Sequence, residues 1–164
     1  MNVLKKLRPR PIQSAMIAPC GMNCALCMGH LRERNRCMGC NGDDAHNPPH
    51  CVVCRIKHCE EIKGKAPSYC FTCDKFPCQR LRHLDKRYRL KYGMSMVENL
   101  ETIQAIGIRR FILREKARWK CPKCGGVICV HRELCMYCGY AWDHGQVAPL
   151  KVFPKRQRMR SGIV

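Results

Sequence analysis

The chain has 164 residues, sixteen of them cysteine, and a formal charge of +19. That length allows one domain or two small ones. No stretch approaches the roughly 18 apolar residues of a membrane span, and the basic N-terminus lacks the apolar run of a signal peptide.

A cytoplasmic location follows as the expectation. In a reducing compartment, paired cysteines are metal ligands rather than disulfides. The charge is uneven, with +7 on residues 79–119 alone. Part of it balances thiolate sites, since a four-cysteine zinc site is a net dianion. The sharper expectation is that the basic surface meets nucleic acid or an acidic protein partner. Nothing identifies a small-molecule substrate.

In chain order, residues 1–19 read as a basic N-terminal arm, with Pro9 and Pro11 opposing a helix. Residues 20–78 form a cysteine-rich metal-binding module holding eleven of the cysteines. It opens with Cys20, Cys24 and Cys27 and continues with Cys37 and Cys40. A CxxC turn converges two sulfurs on one ion, so Cys24/Cys27 and Cys37/Cys40 read as knuckles. The segment between these pairs suits a short helix. The polar loop 41–50 adds His46 and His50 as further candidates.

A short repeat follows. CVVCRIKHC and CFTCDKFPC are both C-x2-C-x4-C, so Cys51, Cys54 and Cys59 match Cys70, Cys73 and Cys78. Four CxxC pairs would make two four-thiolate sites and leave Cys20, Cys59 and Cys78. Alternatively, each triad is the centre of a site and borrows its partner from the N-terminal five. Eleven is not a multiple of four, so one site uses a histidine such as His58, keeps an open position or leaves a cysteine free.

Residues 79–119 change to amphipathic helices. Leu81, Leu84 and Tyr88 share a face, and Gly93 ends that helix. Ser95 and Glu98 form a capping box for a second helix carrying Val97, Leu100 and Ile103, which Gly107 closes. A third places Ile108, Phe111, Ile112 and Trp119 on one stripe. Residues 120–144 then give C-x2-C-x10-C-x2-C, the spacing of a zinc ribbon, with Cys121, Cys124, Cys135 and Cys138 as ligands. The run VICV suits a strand. Cys129 is expected to pack as a small apolar residue, and His131 is left over. Residues 145–164 form a basic tail.

CGMNCALC, CMGC, CVVCRIKHC and YCFTCDKFPCQRL together resemble a prokaryotic cysteine-rich family, the domain of unknown function numbered 3795, over about residues 18–85. The stretch SMVENLETIQAIGIRRFILREKARWKCPKCGG is similar to a C-terminal extension of some members, a helical pair before a zinc ribbon. The resemblance implies a small metal-binding domain of bacterial or archaeal origin. It implies no activity.

The expected fold class is a small α+β metal-stabilised protein: a loop-rich knuckle module, a helical layer and a C-terminal zinc ribbon. The expected cofactor is zinc, two or three ions. The rival is a 4Fe-4S cluster in the N-terminal module, which would make the chain a redox protein. Cys20, Cys24 and Cys27 have the C-x3-C-x2-C spacing of radical S-adenosylmethionine enzymes, but no strand–helix alternation for their barrel follows. No HExxH or phosphate-binding loop is present, so catalysis has little support. Metal storage or delivery is a third reading.

Overall fold

A computed structural model describes residues 10–146. The outer part of the expected arm, 1–9, and most of the expected tail, 147–164, lie outside the described residues. Two single-turn helices occur in the cysteine-rich half, α1 (Met28–Leu31) and α2 (Pro49–Val52). Three longer ones follow: α3 (Gln79–Tyr92), α4 (Met96–Ile106) and α5 (Ile108–Arg118).

The described residues are helical with little strand. Pairing is confined to three isolated antiparallel bridges, Ile17 with Asn23, Lys120 with Val127, and Leu134 with Ala141. The α+β expectation therefore reduces to a mainly helical chain. The strand expected at VICV is one bridge at Val127. Beyond it, the Ile128 amide donates to Trp119 and the Val130 amide to Leu26, so alternate amides serve different segments and no ladder forms.

The helical layer follows its sequence signals. Gly93 ends α3 in the left-handed conformation, at φ +62°. The Ser95 hydroxyl accepts the Glu98 amide at 3.0 Å, capping α4. That hydroxyl also donates to the buried carboxylate of Asp85 at 2.6 Å, and the Val97 amide donates to the same oxygen at 3.1 Å. Asp85 thus fixes the start of α4 from α3. In turn, α4 packs against both α3 and α5.

One core joins the described parts of the chain. It takes Ile17 and Leu26 from the cysteine-rich half, Leu81, Leu100 and Phe111 from the helices, and Ile128 and Trp142 from the C-terminal segment. Each large side chain buried there contributes about 1.5–3 kcal/mol. Residues 10–19 do not behave as an arm, because Ile12, Met16, Ile17 and Ala18 are buried in this core. Burial of these apolar side chains holds the segment in place despite Pro11.

Two buried polar contacts clamp the CGMNC loop onto the helices. The Asn99 side-chain amide donates to the Gly21 carbonyl at 2.9 Å. The Asn23 amide donates to the Glu115 carboxylate at 2.9 Å, and Glu115 also pairs with Arg118. Burial raises the Glu115 carboxyl above its ordinary 4.5, against the opposing pull of Asn23 and Arg118. The fold therefore favours the protonated form. The resulting stabilisation is full below about pH 4.5 and is lost as pH rises through the raised value. Relative to Glu115→Gln, the wild-type urea midpoint is expected to fall as pH rises through that window. A wild-type-minus-variant difference that stays constant across the window would contradict this.

Candidate metal centres

The C-terminal segment folds as two knuckles of matching construction. In the first, the Cys121 amide donates to Gly126 at 2.7 Å and the Gly125 amide donates to Cys121 at 2.9 Å. In the second, Cys135 donates to Tyr140 and Gly139 donates to Cys135, both at 2.8 Å. Gly125 and Gly139 have φ of +73° and +69°, a conformation that favours glycine. The sulfurs of Cys121 and Cys138 stand 3.7 Å apart, and those of Cys124 and Cys135 3.6 Å apart. All four lie within 4.8 Å of one another.

Those separations have a simple meaning. A metal bound tetrahedrally at about 2.3 Å from each sulfur sets the sulfurs about 3.8 Å apart. The Gly126 amide also donates to the Cys124 sulfur at 3.4 Å, as amides do to knuckle thiolates. Burial pushes the Cys135 thiol up to about 12. At Cys121, burial is outweighed by the amides of Cys124 and Lys123, and the thiol comes down to about 7. A cation at the centre would offset the charge of four thiolates held this close. Four sulfurs also close the coordination shell, which suits structure rather than catalysis.

In the cysteine-rich half, three CxxC pairs share one turn closure. The second cysteine's amide donates to the first one's carbonyl, at 3.1 Å for Cys24/Cys27, 3.3 Å for Cys51/Cys54 and 3.1 Å for Cys70/Cys73. The Cys24 thiol donates to the Cys40 sulfur at 3.9 Å. That bond, helped by nearby Lys57, lowers Cys40 to about 7. Cys37 donates to Asn47 at 2.7 Å. Burial, then repulsion from Cys40, Cys27 and Cys37, pushes Cys51 up to about 11, so Cys51 lies beside both N-terminal pairs. Cys59 lines a cavity of about 30 Å³ with Cys70, Cys73 and Cys78. Cys20 is buried and feels Cys40, Cys70 and Cys54, which places it between the two groups. Among the described residues, only the 121–138 set brings three or more ligand atoms of His, Cys, Asp or Glu within 4.8 Å of one another.

The candidate histidines stay outside these groups. His46 and His50 are exposed. His58 uses its ring on the Val52 carbonyl, at 2.8 Å. His131 is a structural joint: it accepts the Met28 amide at 3.3 Å and bonds the Tyr88 hydroxyl at 3.0 Å. Cys129 is fully buried and apart from the four-sulfur set. Sequence reasoning missed Asn23, Asn99 and Glu115. A usable signal existed for Glu115, which falls on the apolar stripe of α5 between Phe111 and Trp119.

These features define a small, mainly helical, cysteine-rich protein with a four-cysteine group able to hold a metal ion. Residues 16–83 match the family model described as Protein of unknown function (DUF3795), so the resemblance carried by the cysteine motifs holds over that segment. The 121–138 group lies outside the matched residues and is consistent with a ribbon-like C-terminal extension. No curated protein and no solved structure matches the chain. Among the described residues, no helix is long and apolar enough to cross a membrane.

Proposed function

We propose that the chain is a zinc-held structural scaffold that presents a basic helical surface to nucleic acid. The closed group of four sulfurs, with 3.6 and 3.7 Å edges, carries the zinc part of this reading. A thiolate set of that size suits zinc, and four-thiolate zinc sites are structural. The remaining cysteines of 20–78 are read as ligands of further metal centres. Thiolate ligation fits a reducing cytoplasm.

Exposed basic residues lie on α3 and on α5. Arg82, Lys86, Arg87 and Arg89 are exposed on α3, as are Arg109 and Arg110 on α5. Such a surface recognises phosphates through charge, so binding is steeply salt-dependent. Binding of a mixed-sequence RNA and a DNA duplex over a salt series tests it. The expected result is binding at low salt whose affinity falls linearly on logarithmic axes, with a shallower slope after Arg82→Glu and Lys86→Glu. Absence of binding at low salt, where phosphate contacts are strongest, would end the nucleic-acid reading. Capture of an acidic protein in that case would assign the surface to a protein partner.

A further inference from the structure

We propose that Cys59, Cys70, Cys73 and Cys78 form a second metal centre that holds a 4Fe-4S cluster. The proposal does not depend on the nucleic-acid reading, nor on which ion occupies the 121–138 group.

The first argument is size. A single tetrahedral ion draws its four sulfurs to edges of about 3.8 Å and leaves no space between them for water. The 121–138 group has that compactness. Cys59, Cys70, Cys73 and Cys78 instead line one cavity of about 30 Å³. A water needs about 10–15 Å³ measured this way, so the space between these residues exceeds that of a single water. Nor do any three of these sulfurs come within 4.8 Å of one another. A cubane puts each thiolate on a different iron and holds the four apart around a solid core.

The second argument is chemical surroundings. Ile56, Ile62, Phe76 and Leu81 complete the lining, and this apolar wall keeps water from the cluster's sulfides. The Lys75 amide donates to the Cys73 sulfur at 3.4 Å. The same contact, from the amide two residues on, marks Cys124 in the compact group. Arg80 lies on the cavity wall. A cubane with four thiolates is an anion, and this cation offsets part of its charge.

The third argument is position. Cys70 opens a tight turn whose amide donates to the Pro19 carbonyl at 2.9 Å, and Cys78 caps the start of the 14-residue α3. Helix N-termini favour thiolates. Cys59 comes from the other copy of C-x2-C-x4-C, so the repeat supplies one closed set of four rather than two incomplete sets of three.

The test is iron, sulfide and zinc analysis of the full chain purified without oxygen, before and after incubation with ferrous iron, sulfide and a thiol reductant. The expected result is about four irons and four sulfides per chain, with broad absorption near ~400 nm. Cys73→Ala and Cys78→Ala should each lower iron at least about fivefold and leave the zinc of 121–138 in place. Cys121→Ala should do the reverse. Two outcomes overturn the proposal: wild-type protein that takes up no sulfide, or iron and sulfide that persist in both variants. If the variants fail to fold, the wild-type sulfide count decides alone. Because zinc is counted separately, failure here is distinguishable from failure of the scaffold reading.

Discussion

Cys135→Ser is expected to release the metal ion of residues 121–138 and to unfold both knuckles. Each knuckle is closed by a single bridge and a few turn hydrogen bonds. So little backbone pairing cannot offset the entropy of ordering about twenty residues. A bound ion would supply the difference. Structural zinc contributes roughly 10 kcal/mol or more of apparent binding free energy at neutral pH, and in such segments binding energy is folding energy. The effect has a built-in reporter. The chain has two tryptophans, and both flank the site. Trp119 accepts the Ile128 amide and Trp142 donates to Glu133, each at 2.8 Å, and both rings are buried. Cys135→Ser should therefore shift the fluorescence maximum to the red and remove one zinc per chain. Chelator treatment of the wild type should give the same shift. An unchanged spectrum with unchanged zinc would contradict the account.

Gly21→Ala is the second large effect. Gly21 has φ of +86°, and a Cβ there would stand 2.6 Å from the Met96 carbonyl oxygen and 2.8 Å from Leu100 Cγ. The backbone conformation alone costs an alanine about 1–2 kcal/mol. The overlap adds more, because one obstacle is helix backbone that moves only if α4 shifts. That shift would also break the Asn99 bond to the Gly21 carbonyl. A total of about 3–5 kcal/mol is expected, read from the urea midpoint. Gly64 is the control: its φ is +73°, yet nothing lies within 4 Å of its Cβ position. Gly64→Ala should cost only the conformational part, about 1–2 kcal/mol. Equal losses at the two positions would mean that α4 does not press on the CGMNC loop.

These cases show where the sequence was informative. Signals with short range were legible. Ser95 capped α4, Gly93 ended α3, and the two CxxC pairs of the C-terminal segment met as their spacing implied. Each of those depends on residues within a turn or on a ligand geometry of fixed size. The strand at VICV was not realised, because β pairing needs a partner that a single run of apolar residues cannot name. The clamp made by Asn23 with Glu115 joins residues 92 apart in sequence. Nothing local distinguishes Glu115 from a solvated helix carboxylate except its place on the apolar stripe. The grouping of Cys59 with the second triad was hidden for a similar reason. Repeat symmetry pairs Cys59 with Cys51 and Cys54, whereas the chain's path takes it to Cys70, Cys73 and Cys78.

The central claim is that a closed four-sulfur site holds zinc and that the C-terminal segment depends on it. X-ray absorption at the zinc edge of the purified full chain tests this most directly. The account predicts bound zinc with a shell of four sulfurs at about 2.3 Å. Protein that carries no zinc, or a shell containing nitrogen or oxygen at about 2.0–2.1 Å, would contradict it.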